Sequence, residues 1–228
     1  MRLHLLKLAE IKAIGAPVPG YVITNPDGSA VLVDTGPPPA MAGPRLPLRP
    51  QAPLLQQLGE LGLSPGDVRY VISTHLDPDH SGALDRFPRA EVVIQRSHLA
   101  AARSGAVDRL LITRTHWDAV RFREVDGDCE LLPGIELIES SGHVPGHQSV
   151  LVRLPGTGPV LLAGDAIPMQ TCLDAESRPI LPFDLDRAAV RASTGRLVER
   201  AEAEGALVIC GHDPVQWPTL ATAPAFYD

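Results

Sequence analysis

Three observations predict an α+β fold, or a layered α/β/β/α one, for this chain, with sheets in the middle. Apolar, β-rich runs outnumber helical stretches, and the helices fall singly between groups of strands. Several runs come in pairs joined by short turns such as Asn25-Pro-Asp-Gly28 and Pro133-Gly134, the grammar of hairpins. Several runs also end in a small residue followed closely by His or Asp, which places reactive side chains at strand ends.

Taken in order, Tyr21–Thr24 and Ala30–Asp34 flank the first turn and read as a hairpin. Pro37 to Pro53 carries seven prolines and no period, so 37–53 reads as a surface or lid loop that either caps a site, meets a second copy or stays solvated. Leu54–Leu61 is a short amphipathic helix, ended by Gly62 and Ser64-Pro65-Gly66. Val68–Ser73 and Glu91–Ile94 are strands, and Ser97–Ser104 is a helix with Ser97 as its N-cap. Glu130–Leu132 with Ile135–Ile138, and Ser149–Arg153 with Val160–Ala163, are two further hairpins. Asp184–Gly205 reads as an amphipathic helix through Leu185, Ala188, Ala189, Ala192, Leu197 and Val198, and Leu207–Cys210 is the last strand.

Residues 1–228 carry no break in composition and are read as one domain, 44% hydrophobic and 21% charged. A net charge of −7 without a basic cluster argues against nucleic acid and anionic membranes as partners. There is no apolar run of membrane-spanning length, and charges interrupt the first residues, so neither a span nor a signal peptide is expected and the location expected is cytoplasmic. Cys129, Cys172 and Cys210 form no C-x-x-C pair and suit buried thiols in a reducing compartment.

The densest chemistry lies in Thr74–Gly82, T-H-L-D-P-D-H-S-G, with two imidazoles and two carboxylates within six residues. Holding His75, Asp77, Asp79 and His80 that close is costly unless a cation binds them, and His and Asp are donors that divalent metals accept. Ser141-Gly-His143-Val-Pro-Gly-His147, Gly164-Asp165 and Gly211-His212 repeat the strand-end pattern further on. No G-x-S-x-G nucleophile elbow is present.

These motifs resemble the metallo-β-lactamase superfamily and, within it, the N-acyl homoserine lactonase group. The family's H-x-H-x-D-H-x-G stands here as His75-Leu-Asp77-Pro-Asp79-His80-Ser-Gly82. The His143–Ser149 stretch, Gly164-Asp165, Gly211-His212-Asp213, Leu32–Gly36 and Val92–Arg96 match in order and spacing over nearly the whole chain. The resemblance implies an αββα sandwich with a dinuclear site. His75, Asp77 and His143 would hold one metal, and Asp79, His80 and His212 the other. Asp165 would bridge the two, together with a hydroxide. His147 and Asp34 would orient ligands without binding metal, and His98, His116 and His4 would be structural or surface residues. The implied reaction opens a lactone, ester or thioester of a small, partly apolar molecule by attack of the bridging hydroxide, with Asp79 carrying the proton to the leaving group. The protein would act as a monomer or homodimer.

Two departures stand out. Asp77 replaces a histidine, so three carboxylates and a hydroxide would set four negative charges against the four positive charges of two ions, one more than with a neutral ligand. Zinc is the expected metal, and the hard oxygen of Asp77 admits iron or manganese. Asp77 is read either as a ligand or as a residue behind a single tightly held metal. With iron or manganese the site would suit redox or oxygen-dependent chemistry, and a non-catalytic metal-binding relative is the third reading. The lactonases' substrate-binding Tyr, three residues after the bridging Asp, is Pro168 here, which leaves Pro168, Met169 and Cys172 as the expected pocket lining.

Overall fold

The computed structural model describes residues 1–38 and 48–228. A seven-stranded sheet is built from β1 (Arg2–Ile11), β2 (Ala16–Thr24), β3 (Ala30–Val33), β4 (Leu48–Pro50), β5 (Val68–Ile72), β6 (Glu91–Gln95) and β7 (Phe122–Val125), in the order β4-β1-β2-β3-β5-β6-β7. A five-stranded sheet follows, from β8 (Cys129–Leu132), β9 (Ile135–Glu139), β10 (Gln148–Leu154), β11 (Gly158–Leu162) and β12 (Leu207–Ile209), in the order β12-β11-β10-β9-β8.

Period-two alternation decides which side chains meet. Val31, Val33, Tyr70, Ile72 and Val93 point inward from the first sheet and meet Leu137, Val150, Val152, Val160 and Leu162 of the second. Their neighbours Leu32, Val71, Val92 and Ile94 face outward and are covered by α1 (Leu54–Glu60), α2 (Arg96–Ser104) and Trp117 of the short α3 (Arg114–Trp117). On the far side, Leu151 and Leu161 pack on Leu197 and Ala201 of α4 (Arg187–Glu204). The result is the expected αββα stack.

Several expectations change in detail. The helix α4 starts at Arg187, because Asp186 accepts the backbone N–H groups of Ala188 and Ala189 at 2.9 Å and caps it there. Its buried stripe is Val190, Ser193, Thr194, Leu197 and Ala201, whereas Leu185 precedes the helix and is 49% exposed. Ser97 is not the cap of α2; Gln95 holds that place, without a side-chain bond. The strand β1 was not legible as one, since charged residues break its alternation, and a bulge between Lys7 and Ala9 shifts its register against β2. The Pro-rich stretch is not all loop, for Leu48–Pro50 pairs with β1; residues 39–47 of the expected lid lie outside those described.

Strand direction positions the chemistry. The strands β3 and β5 are parallel, as are β11 and β12, while β9 is antiparallel to β10 and β10 to β11. The C-terminal ends of β9, β11 and β12 therefore share one edge of their sheet, and those of β3 and β5 share one edge of theirs. The loops that leave these ends carry every strand-end His and Asp picked out in the sequence.

Candidate metal centre

Each strand end contributes a side chain whose direction is fixed by its own loop. Asp34 follows β3 with a φ of 56°, a left-handed backbone that Asp tolerates better than most residues. The turn after β5 is tied down where the amides of His80 and Ser81 donate to the Asp77 carbonyl at 2.9 and 3.1 Å. Gly142 (φ 136°) and Gly164 (φ 55°) allow the bends before His143 and Asp165. A Cβ on Gly142 would lie 2.2 Å from the backbone nitrogen of Val190, so this loop sits directly on α4.

These loops bring His75, Asp77, Asp79, His80, His143, Asp165 and His212 together. All but Asp79 are buried. Each histidine has its Nδ1 engaged from behind. His80 Nδ1 donates to Asp34 at 2.8 Å, His212 Nδ1 to the Pro17 carbonyl at 2.8 Å, and His143 Nδ1 lies 3.3 Å from Asp184 Oδ1. His75 Nδ1 lies 2.9 Å from Thr74 Oγ1, which donates onward to Asp34 at 2.7 Å. All four Nε2 atoms are thereby turned toward one another, with a carboxylate or carbonyl behind three of the rings and the Thr74 hydroxyl behind His75.

The facing atoms fall into two sets of four. In the first, His143 Nε2 is 3.0 Å from Asp77 Oδ2 and 3.3 Å from Asp165 Oδ2, and His75 Nε2 is 3.5 and 3.9 Å from the same two oxygens. In the second, Asp165 Oδ1 is 3.1 Å from His212 Nε2 and 3.5 Å from His80 Nε2, these two nitrogens are 3.3 Å apart, and Asp79 Oδ2 lies 3.7 and 3.8 Å from them. Ligands about 2.0–2.1 Å from a tetrahedral metal stand about 3.3 Å from each other. His75 Nε2 and Asp165 Oδ1 are buried with no hydrogen-bond partner; His212 Nε2 is near the latter without the alignment of a bond. Orphaned buried atoms at metal-edge spacing, and two nitrogens facing at 3.3 Å, are a donor set that fits divalent metal, with Asp165 presenting one oxygen to each set.

The electrostatics agree. Burial works against charge on His143, but Asp165, Asp184 and Asp77 outweigh it and lift the ring to about 9. Burial likewise opposes charge on His80 and His212, and the surrounding carboxylates raise both. Burial would raise Asp77 and Asp165, yet the histidines hold both well below the usual carboxylate range. The cluster is an excess of negative charge that recruits protons wherever a metal does not replace them.

A family model, that of the metallo-beta-lactamase superfamily, matches residues 14–212. The chain belongs to the metallo-beta-lactamase superfamily. Curated relatives include N-acyl homoserine lactonases, hydrolases built on the same fold. The lactonase AttM of Azorhizobium caulinodans is 34% identical over 237 aligned positions, covering 93% of this chain and 88% of that protein. AttM of Rhizobium johnstonii is 35% identical, covering 92% and 87%. A crystal structure of a quorum-quenching N-acyl homoserine lactone lactonase superposes with a TM-score of 0.87 at 25% identity, over 99% of this chain and 98% of that one.

Within this superfamily fold, the remaining expected residues find their places. His147 is buried; its Nε2 accepts the backbone N–H of Asp165 at 3.1 Å and its Nδ1 meets Ser140 Oγ at 2.8 Å. His98 is no surface residue. It is wholly buried, with Nε2 accepting the Leu76 N–H at 2.9 Å and Nδ1 donating to the Pro145 carbonyl at 2.7 Å, so it ties the two principal histidine loops together. His116 meets Asp85 at 2.9 Å, away from the cluster, and His4 packs near Phe226. Pro168 offers its carbonyl to the His212 N–H at 2.7 Å. Cys172 is fully buried in the layer between the second sheet and α4, where Met169 also packs.

Sequence reasoning missed three residues. Asp184 lies behind His143 and forms a fully buried pair with Arg178, 2.8 Å away. Neither belongs to a recognisable motif. Arg109 lies against Asp77, its Nε donating to both carboxylate oxygens at 2.8 and 2.9 Å. The surplus negative charge at position 77 was the one available signal that a cation should stand nearby.

Proposed function

We propose that this protein is a metal-dependent hydrolase that opens the ring of an acylated lactone, the class on which its named relatives act, with simple esters or thioesters as poorer substrates. The observation that carries the reading is the double set of donors sharing Asp165, one carboxylate oxygen to each set. Two divalent ions held there would acidify a shared water and polarise a carbonyl placed against them. Each set offers two imidazole nitrogens and two carboxylate oxygens, donors that suit zinc and leave room for iron or manganese.

The chain's own groups would do the rest. Asp79 is the most exposed of the cluster's carboxylates, its side chain 17% accessible, so it reaches both the centre and the incoming substrate. It would take the proton from the attacking water as the new C–O bond forms, and return it to the alkoxide as the ring C–O bond breaks. His147 and Asp34 would keep Asp165 and His80 in place throughout. Phe183 and Leu185, exposed on either side of Asp184, would meet the apolar part of the substrate, with Ile112 three residues beyond Arg109. Pro168 cannot supply the hydroxyl of the lactonases' Tyr, so substrate orientation here would differ from theirs. A redox reading gains nothing from these relatives, since both named above are hydrolases.

Hydrolysis of a panel of acyl homoserine lactones, other lactones, esters and thioesters, followed by acid release, tests the reading. Turnover that a chelator abolishes and metal restores is expected. No turnover on any of them by folded, metal-loaded protein would overturn it.

A further inference from the structure

The Asp77 carboxylate is shared. Its Oδ2 faces His143 Nε2 at 3.0 Å and His75 Nε2 at 3.5 Å, on the side of the first donor set. Arg109 Nε donates to both carboxylate oxygens, Oδ1 at 2.8 Å and Oδ2 at 2.9 Å, while Nη2 of the same guanidinium donates to the His143 carbonyl at 3.2 Å and lies 3.5 Å from His143 Nε2. The backbone that delivers Arg109 is firmly anchored under the histidine loop. Thr113 Oγ1 meets Ser81 Oγ at 2.6 Å, Trp117 Nε1 donates to the Leu110 carbonyl at 3.1 Å, and Leu110, Thr113 and Trp117 are all fully buried. Arg109 is therefore held beside Asp77 by the fold, not by a chance surface encounter.

A carboxylate in a buried, already acidic cluster adds repulsion among the ligands and donates strongly to a bound ion, weakening its Lewis acidity. A guanidinium across both oxygens cancels that charge and fixes the carboxylate plane, with Oδ2 shared between Arg109 and the two histidines. We propose that Arg109 and Asp77 work as one charge-matched unit, net neutral, in which Arg109 is a positioning residue that makes an aspartate serviceable as a ligand of the first metal. The inference rests on the two-metal reading above.

A double-mutant cycle tests it through metal binding alone, without reference to turnover. Wild type, Asp77→His, Arg109→Met and the double variant are compared for zinc affinity by competition with a chromophoric chelator, with zinc per chain measured in parallel and folding followed by circular dichroism. Each single change is expected to weaken one of the two bound ions by about tenfold or more. Asp77→His leaves a cation stranded beside the metal, and Arg109→Met leaves a carboxylate unpaired. The double variant is expected to recover to within about threefold of wild type, because a neutral ligand no longer needs the cation. If Asp77→His does not fold, Arg109→Lys is compared with Arg109→Met instead, and zinc affinity is expected to fall less with the lysine, which keeps the cation. Losses that simply add in the double variant, or an Asp77→His protein that binds both ions as wild type does, would overturn the coupling while leaving the two-metal reading intact. A wild type that binds no divalent ion would overturn both.

Discussion

His80 points its Nδ1 at the carboxylate of Asp34, 2.8 Å away, and Asp34 reaches it from a left-handed backbone with φ 56°. The same carboxylate accepts the Thr74 amide at 2.8 Å and the Thr74 hydroxyl at 2.7 Å, so one side chain orders two of the candidate ligands, His80 directly and His75 through Thr74. Asp34→Asn keeps the left-handed turn, which Asn tolerates, but sets an amide NH2 against a donor. His80 would then favour the tautomer with its proton on Nε2, the atom needed for metal. Metal affinity is expected to fall about 10–100-fold with the circular dichroism spectrum unchanged; competition with a chelator dye reads it, and unchanged affinity would remove Asp34 from the account.

Gly142 is required by two features at once, its φ of 136° and the 2.2 Å that would separate an added Cβ from Val190 N. An alanine there must push α4 away from the His143 loop. Gly142→Ala is expected to cost about 3 kcal/mol or more, against about 1 kcal/mol for Gly158→Ala, whose Cβ would meet nothing within 4 Å. For a chain of this size, that is a fall in melting temperature of about 10 °C against about 3 °C. Equal shifts would show that the loop does not bear on the helix.

His98 makes stability sensitive to acid. Burial pushes its ring down to about 4, and both ring nitrogens are already committed to neutral hydrogen bonds. An unfolded chain takes up a proton near pH 6.5, while the folded one refuses it until about 4, so below 6.5 the unfolded state binds more protons. The contribution is complete above 6.5 and is lost as the pH falls toward 4, up to about 3 kcal/mol in all. Urea unfolding at pH 7 and pH 5 is expected to show a steeper loss in wild type than in His98→Gln, by about 2 kcal/mol. Parallel losses would mean that His98 does not carry this dependence.

Much of the centre could be read from the chain because its ligands sit in short local motifs whose geometry comes from a strand end and a glycine. His75 to His80, His143 and Gly164-Asp165 needed no knowledge of what packs behind them. The alternation of Val31, Leu32 and Val33, or of Val150, Leu151 and Val152, likewise stated which face meets which layer. What could not be read depends on distant partners. Arg109 comes from a short helical turn 32 residues beyond Asp77, Asp184 from a loop 41 residues beyond His143, and their pairing exists only once the layers assemble. The start of α4 departs from the expected one for the opposite reason. Leu185 fits a helical spacing, but the local cap at Asp186 outweighs it. The β1 strand is specified by pairing with β2 and β4 more than by its own pattern.

In the proposed function, two metal places that share Asp165 would be needed together for hydrolysis. The most direct test is turnover of an acyl homoserine lactone plotted against equivalents of zinc or manganese added to metal-free protein. Little activity is expected at the first equivalent, and a plateau at two per chain. A plateau reached at one equivalent, or hydrolysis that never depends on metal, would contradict it.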